Sequence, residues 1–193
     1  MFTALLDTCV LWPSLQRDFL LSLAVEGMYR PVWSSAILGE LEYEEAQKLV
    51  RRAECEDTAA CRAQQLIARM RAAFSDAETC GWEPLEGTYG LPDPDDEHVV
   101  AAAFVAGADA IVTSNVRDFP EKALPNGIHV LPPHVFAFNT VELSPARALA
   151  AVEAIVARSG RQGSPLTTCR VLDLLEARYD LSQAVELLRQ VAM

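Results

Sequence analysis

Side chains with carboxylate or amide groups recur where the sequence predicts that strands end and helices begin. These side chains are Asp7, Glu40, Asp96, Asn115 and Asp118. In a parallel sheet, the carboxyl ends of the strands and the starts of the helices that follow them lie along one edge. Residues that are far apart in the sequence can therefore meet there, and we predict that this set forms one acidic site.

An acidic cluster of this kind needs a compensating cation or proton. Two carboxylates about 4 Å apart repel each other by roughly 4 kcal/mol at an effective dielectric constant of about 20. Oxygen ligands favour Mg²⁺ or Mn²⁺ over zinc or copper. Such ions activate water and stabilise charge during phosphoryl transfer. Taken singly, each residue also has an ordinary structural explanation, as a turn acceptor, a surface acid, a helix-dipole partner or a cap.

The segment 91–120 organises this set, because its pattern predicts one helix followed by one strand. Asp93 is a suitable N-cap, and Asp96 falls in the first turn, beside the positive end of the helix dipole. The apolar run that follows stops at Gly107, a residue that suits a left-handed C-cap. Residues 110–112 are short and continuously apolar, as expected of a strand that is buried on both faces.

Helices and strands alternate in the predicted structure up to about residue 137, and only helices follow. Strands are predicted at 2–6, 30–33, 82–85, 110–112 and 128–131. Helices are predicted at 15–25, after Ser34 or Ser35, and at 57–79, 94–106, 134–138, 144–157, 164–179 and 181–191, with a linker-like break at 160–163 and Asp180 as the last cap. We therefore predict a three-layer α/β/α domain with a central parallel sheet at residues 1–138, followed by a C-terminal helical extension at residues 139–193.

The composition is that of a folded protein without structural disulfides. Of the 193 residues, 51% are hydrophobic, which is enough to bury a substantial core. The five cysteines are scattered and form no CxxC pair, which indicates reduced thiols rather than a disulfide framework or a zinc site. No apolar run could span a bilayer and the first residues lack a secretory pattern, so we predict a cytoplasmic protein without membrane contact. The motifs of P-loop proteins, dinucleotide-binding domains and serine hydrolases are absent.

The net charge of −11 argues against a protein that coats nucleic acid without specificity. Six of the sixteen cationic residues nevertheless occur within one predicted helical region: Lys48, Arg51, Arg52, Arg62, Arg69 and Arg71. No acidic residue lies between Arg62 and Arg71. This region is either a solvated helix face or a rim that contacts phosphate, and in the second case Arg62, Arg69 and Arg71 are the candidate contacts.

Four segments in a fixed order resemble the PIN domain, and especially the longer branch of VapC-like toxin ribonucleases. These segments, which span about residues 3 to 137, are LLDTCVL, WSSAILGELE, DPDDEHVVAAAFVAGADAIVTSNVRDFP and HVLPP. The resemblance implies a catalytic metal centre formed by Asp7, Glu40, Asp96 and Asp118, with Asn115 beside it and Asp93 as an accessory residue.

The same resemblance implies a function and partners. It implies an endoribonuclease that depends on Mg²⁺ or Mn²⁺, hydrolyses RNA phosphodiesters, and acts as the toxin of a type II toxin–antitoxin pair. A cognate antitoxin and a homodimer are the implied partners. If the basic region contacts phosphate, as its charge pattern allows, Arg62, Arg69 and Arg71 would contact the RNA.

Two departures from the family pattern keep a non-catalytic alternative open. Cys9 stands where such proteins often have Asn, and Asn115 stands where many of them have Asp. The alternative is a catalytically weakened PIN-fold binding module that acts through partner assembly. A phosphatase of the haloacid dehalogenase type is less favoured because it needs a second Asp at position 9. A receiver domain is less favoured because it needs an acidic pair where Asp7 stands alone.

We predict structural rather than catalytic roles for the histidines and tryptophans. The three histidines lack metal-ligand spacing, and we expect His98 to lie on a helix surface. We expect Trp12, Trp33 and Trp82 to belong to the core rather than to a base-stacking surface.

Overall fold

The computed structural model describes residues 1–160 and 164–192. The predicted break at 160–163 therefore lies mostly outside the described residues. No helix among the described residues is both long and apolar enough to cross a bilayer.

Five short strands form one sheet. Their bounds are β1 (Thr3–Leu6), β2 (Arg30–Ser34), β3 (Glu78–Thr79), β4 (Ala110–Val112) and β5 (His129–Leu131), and their order in the sheet is β3-β2-β1-β4-β5. β1 pairs with β4 in parallel, with Leu6 opposite Val112, and β2 pairs with β3 in parallel, with Ser34 opposite Thr79. Every residue of β1 and β4 is buried, as expected of central strands in a parallel sheet.

Nine α-helices lie in the described part of the chain. They are α1 (Thr8–Leu11), α2 (Ser14–Val25), α3 (Ser35–Arg51), α4 (Glu56–Ala73), α5 (Glu97–Ala106), α6 (Pro133–Leu143), α7 (Pro145–Arg158), α8 (Thr168–Tyr179) and α9 (Ser182–Ala192). This arrangement confirms the predicted α/β class. A parallel sheet has helices beside it, and further helices follow at the C-terminal end.

The chain divides into two compact units. One unit comprises residues 3–12 and 31–130, and the other comprises residues 1–2, 13–30 and 131–193. In the second unit, α7 packs against α2 and α9, and α9 also packs against α6 and α8. The predicted domain boundary between residues 138 and 139 stays a prediction.

Two helices of the first unit have the capping residues that their sequences predict, although the helix predicted from residue 94 starts with a 3₁₀ turn and α5 itself begins at Glu97. The hydroxyl of Ser34 accepts a hydrogen bond from the backbone N–H of Ile37 (3.2 Å), which caps α3. The carboxylate of Asp93 accepts one from the N–H of Asp95 (3.0 Å) in a 3₁₀ turn that leads into α5. α5 ends at Gly107, whose φ of 61° is left-handed.

Several predicted elements differ from the structure. The helix predicted at 134–138 extends over Pro133–Leu143, and the helix predicted at 164–179 begins at Thr168, where the hydroxyl of Thr167 accepts from the N–H of Arg170. The helix predicted at 57–79 ends at Ala73, because Glu78 and Thr79 pair with β2 as strand β3 and must be extended. The strand predicted at 82–85 is a 3₁₀ turn at Glu83–Leu85, which contains a proline. Asp180 does not cap the start of α9: its φ of 57° places it at the left-handed C-cap of α8.

Candidate active site

Asp7 leaves β1 beside the point where Thr113 leaves β4, because Leu6 and Val112 are opposite each other in the sheet. The hydroxyl of Thr113 donates a hydrogen bond to Oδ2 of Asp7 (2.7 Å), and both residues are buried. The backbone N–H of Asp7 also donates to the carbonyl of Val112 (3.1 Å). The sheet therefore fixes both the backbone and the carboxylate of Asp7.

Cys9 is a second partner of Asp7. Its Sγ donates to Oδ2 of Asp7 (3.1 Å) and accepts from the backbone N–H of Ser114 (3.2 Å). Burial, and then the negative charge of Asp7, raise the pKa of the Cys9 thiol to about 11. Cys9 therefore stays protonated at neutral pH and acts as a donor to Asp7, as a weak one.

Glu40 lies on α3 and is held at both carboxylate oxygens. Oε2 accepts from the hydroxyl of Thr8 (2.5 Å), and Oε1 lies 2.9 Å from Nε2 of His98. Partial burial alone would raise the pKa of Glu40, but the hydrogen bonds from His98 and Thr8 outweigh burial and lower it. Glu40 is therefore a carboxylate at neutral pH.

The expectation for His98 is wrong. Its side chain is 7% exposed and faces Glu40 rather than solvent. Its ring also lies 5.9 Å from the ring of Trp82, centroid to centroid. Burial by itself would lower the pKa of His98, but the hydrogen bond and charge of Glu40 raise it. The apolar run that follows His98 favoured burial, but the sequence does not show that its partner lies on another helix.

Asp96 lies where the 3₁₀ turn meets α5 and carries the most perturbed carboxylate of the set. Burial, followed by the negative charges of Asp7, Asp93 and Asp118, raises its pKa to about 6. Asp118 ends a 3₁₀ turn after β4, and Asn115, which precedes that turn, is exposed. The carboxylates of Asp7 and Asp118 thus act electrostatically on Asp96, although they come from distant parts of the sequence.

Part of the predicted set of acidic and amide residues lines one cleft of about 430 Å³. Its lining includes four predicted residues: Asp7, Glu40, Asp96 and Asn115. Asp93 and Asp118 do not line the cleft, but their negative charges help to raise the pKa of Asp96, which does. The cleft lining also includes Thr8, Cys9, Trp12, Glu44 and Arg51.

Two lining residues were not expected at the site. Trp12 is half-buried, so only Trp33 and Trp82 are core residues as expected. Arg51 has a side chain that is 59% exposed, with Nη2 3.7 Å from Oε2 of Glu44. Arg51 was recognised as part of the basic region, but its position at the end of α3 depends on where that helix ends relative to the sheet.

The donor types in the cleft suit a hard cation. Carboxylate and amide oxygens are typical ligands of Mg²⁺ and Mn²⁺. The negative charges of Asp7, Asp93 and Asp118 add to burial in raising the pKa of Asp96, and a bound cation would offset them. In residues 1–160 and 164–192, however, no three His, Cys, Asp or Glu side chains are arranged as a ready-made metal site. The chemistry of the donors therefore fits a cation, whereas their arrangement does not by itself enclose one.

The predicted phosphate-binding arginines lie on α4 and have partners of their own. Arg62 forms an ion pair with Glu54, and Nε of Arg71 lies 2.7 Å from Oε2 of Glu78. Nε of Arg69 donates to the backbone carbonyl of Gln65 (3.1 Å). Glu54 and Glu78 lie outside the segment from Arg62 to Arg71, which contains no acidic residue. All three arginines are exposed, and their role in binding stays a prediction.

Comparison with known families agrees with this arrangement, because the family model of the PIN domain matches residues 3–117. The chain belongs to the PIN domain family. The PIN fold is a nuclease fold. The match covers β1, α3, α5 and β4, together with Asp7, Glu40, Asp96 and Thr113. No curated protein and no solved structure matches this PIN domain protein.

Proposed function

We propose that this PIN domain protein is an endoribonuclease that depends on Mg²⁺ or Mn²⁺ and hydrolyses RNA phosphodiesters. One observation carries the proposal: Asp7, Glu40 and Asp96 line one cleft, and the pKa of Asp96 is raised to about 6. A structural acid is normally neutralised by its neighbours, whereas these neighbours add negative charge. Such a site favours binding of a cation, and the cation would in turn bind a phosphate of the substrate.

Each acidic residue has a role in this proposal. Asp7, Glu40, Asp96 and Asp118 would hold the cation, with Asn115 beside them and Asp93 as an accessory residue. When bound, Mg²⁺ or Mn²⁺ would neutralise the carboxylates and polarise the phosphate. Thr113 and Cys9 keep the carboxylate of Asp7 oriented, and Thr8 and His98 do the same for Glu40.

The residues of the cleft favour direct attack by water over a covalent intermediate. The thiol of Cys9 lies 3.1 Å from Oδ2 of Asp7, but its pKa of about 11 keeps it protonated and therefore a poor nucleophile. Thr113 donates its hydroxyl hydrogen to Asp7, an arrangement that orients the carboxylate. Water is therefore the nucleophile in the proposed reaction.

The biological setting is proposed from the resemblance to VapC-like proteins. In that setting the protein is the cytoplasmic toxin of a type II toxin–antitoxin pair, and a homodimer. The net charge of −11 would suit a basic segment of a cognate antitoxin.

The proposal is tested with purified protein and structured RNAs, with and without Mg²⁺ or Mn²⁺. We expect cleavage only with the metal, and loss of cleavage in Asp7→Asn and Asp96→Asn variants that keep the wild-type circular dichroism spectrum. Glu153→Gln, on α7 in the other unit, is a matched charge control. Cleavage by either active-site variant at the wild-type rate would refute the assignment.

A PIN-fold binding module is the second candidate. It is favoured by the absence of a three-residue metal group from the described residues and by Cys9 and Asn115. The two candidates differ in a metal titration: a nuclease binds Mn²⁺ and cleaves RNA, whereas a binding module retains partner binding without cleavage at any metal concentration.

A further inference from the structure

Glu40 is an exposed carboxylate of the cleft, yet its partner is a buried side chain. Its side chain is 47% exposed, whereas the side chain of its partner His98 is 7% exposed. An exposed Glu samples several rotamers, and fixing such a side chain in one orientation costs conformational entropy. A buried imidazole has little freedom of its own, so it can restrict Glu40 to one orientation.

We propose that His98 is a positioning residue of this cleft, which holds Glu40 in the orientation needed to bind the cation. This inference rests on the proposed function. The contact joins Nε2 of His98 on α5 to Oε1 of Glu40 on α3 (2.9 Å). It therefore links the two helices that supply Glu40 and Asp96.

The hydrogen bonds to Glu40 leave it able to bind a cation. Each carboxylate oxygen can accept about two hydrogen bonds or ligand contacts. His98 occupies one position at Oε1, and Thr8 occupies one position at Oε2 (2.5 Å), so each oxygen retains another. Partners of this kind are typical of metal-binding carboxylates, and their removal typically weakens metal affinity by about 10–100-fold.

The surroundings of His98 support a fixed ring. The ring is tilted by 57° against Trp82, and Nδ1 is buried without a hydrogen-bond partner among the described residues. Packing and the contact with Glu40 therefore orient the imidazole with Nε2 towards the cleft. Glu40 is its nearest acid, and the charges of Asp7 and Glu86 also act on it.

Two variants that differ by one methylene separate positioning from simple core packing. In His98→Gln the amide nitrogen can take the place of Nε2, whereas in His98→Asn the shorter amide cannot reach that position. We expect His98→Gln to stay within about threefold of the wild-type Mn²⁺ affinity, and His98→Asn to lose about tenfold or more. Mn²⁺ binding is measured by electron paramagnetic resonance without RNA, and cleavage is measured separately.

A double variant tests whether His98 acts through Glu40. If it does, adding His98→Asn to Glu40→Gln should weaken Mn²⁺ binding no further than Glu40→Gln alone. His129→Asn, at an exposed position on β5, is the control and should bind Mn²⁺ like the wild type. Thermal melts and circular dichroism establish that each variant is folded.

The outcomes distinguish this inference from the proposed function. Wild-type protein that binds Mn²⁺ and cleaves RNA, together with an unchanged His98→Asn variant, would overturn the role of His98 alone. Equal losses in His98→Gln and His98→Asn would also overturn it, because they would indicate a packing effect. Wild-type protein that neither binds Mn²⁺ nor cleaves RNA would overturn the proposed function and the inference together.

Discussion

Thr113 and Asp7 are 106 positions apart in the sequence and joined by a hydrogen bond of 2.7 Å from Oγ1 to Oδ2. The contact follows from the parallel pairing of β1 with β4, which brings the residues after Leu6 and Val112 together. Thr113 is fully buried, and its Oγ1 also accepts the backbone N–H of Asn115 (3.0 Å). One hydroxyl thus orients the Asp7 carboxylate and the loop that carries Asn115.

Thr113→Val should separate these effects from packing, because valine keeps the shape and removes the hydroxyl. We expect the free energy of unfolding to fall by about 1.5–3 kcal/mol, since Asp7 would keep only the weak donor Cys9. Cleavage should fall as well, because the carboxylate is no longer oriented. Chemical denaturation and cleavage rates measure the two effects, and Thr113→Ser, which retains the hydroxyl, should restore cleavage. Wild-type cleavage by Thr113→Val would remove Thr113 from the site.

Asp96→Asn should stabilise the cation-free protein while it abolishes cleavage. The raised pKa of Asp96, about 6, means that its ionisation is disfavoured in the folded state relative to the unfolded chain. Stability attributable to this group therefore falls as the pH rises from about 4 through about 6. Because solvent screens a partly exposed carboxylate, we expect a gain on the order of 1 kcal/mol at pH 8.

Chelator-treated wild type and Asp96→Asn are compared by thermal melts between pH 4 and pH 8. The advantage of Asp96→Asn should be greatest at pH 8 and shrink towards pH 4, where the wild-type carboxyl is protonated in the folded state. Asp95→Asn, at the exposed neighbouring position, should show a smaller effect. An Asp96→Asn variant that is less stable at pH 8 would show that Asp96 is a structural acid.

Arg51→Gln should weaken RNA binding, because Arg51 lines the same cleft as the acidic residues. Its 3.7 Å ion pair with Glu44 is exposed and contributes little, so the guanidinium can turn to a phosphate. We expect an affinity loss of about three- to tenfold and a salt-dependence slope smaller by about 0.7. Binding is measured at several salt concentrations with metal-free protein. Arg52→Gln, next along the chain and outside the cleft lining, is the matched control and should change neither quantity.

The arginines of α4 provide a separate test of the basic region. If Arg62, Arg69 and Arg71 contact RNA, replacing all three with glutamine should weaken binding and reduce the salt-dependence slope by about two. Arg62 and Arg71 would have to leave Glu54 and Glu78, and exposed ion pairs of this kind are readily exchanged. Unchanged binding in this triple variant, measured as for Arg51→Gln, would identify the region as an ordinary solvated helix face.

The positions of the acidic residues could be predicted because they depend on local patterns. Asp7 follows an apolar run, Asp93 precedes a proline, and Gly107 ends a helix, and each pattern corresponds to a local hydrogen bond or backbone conformation. A parallel sheet then brings the carboxyl ends of its strands to one edge, even when the strands are far apart in the sequence. For these reasons the fold class was accessible from the sequence, and so were four residues of the cleft lining: Asp7, Glu40, Asp96 and Asn115.

The partners of those residues could not be predicted, because they depend on register between elements. His98 meets Glu40 only when α5 and α3 have their observed rotation, and Glu78 meets Arg71 only after α4 has ended at Ala73. The length of α4 was overestimated for a related reason. Pairing with β2 decides the conformation of Glu78 and Thr79, and helix propensity does not.

Glu97 provides a pH-dependent prediction beside the cleft. Its carboxylate is 3% exposed and accepts the backbone N–H groups of Leu91 (2.8 Å) and Tyr89 (2.9 Å). Burial would raise its pKa, but these backbone donors outweigh burial and lower it below the ordinary value of 4.5. Glu97 therefore anchors the loop that leads to Asp93, and it does so as a carboxylate.

Glu97→Gln should destabilise the protein by about 2–3 kcal/mol at pH 7, because the amide removes the charge and turns a donor towards backbone N–H groups. Because the folded-state pKa of Glu97 is lowered, its carboxylate stabilises the protein at pH values above the unfolded-state pKa of 4.5. This stabilisation is lost as the pH falls through the folded-state pKa. The difference between wild type and Glu97→Gln should thus be constant from pH 8 to pH 5 and shrink in more acidic buffer. Denaturant titrations across this range measure it, and exposed Glu83→Gln is the control. A difference that persists unchanged into strong acid would mean that the shape of Glu97, and not its charge, holds the loop.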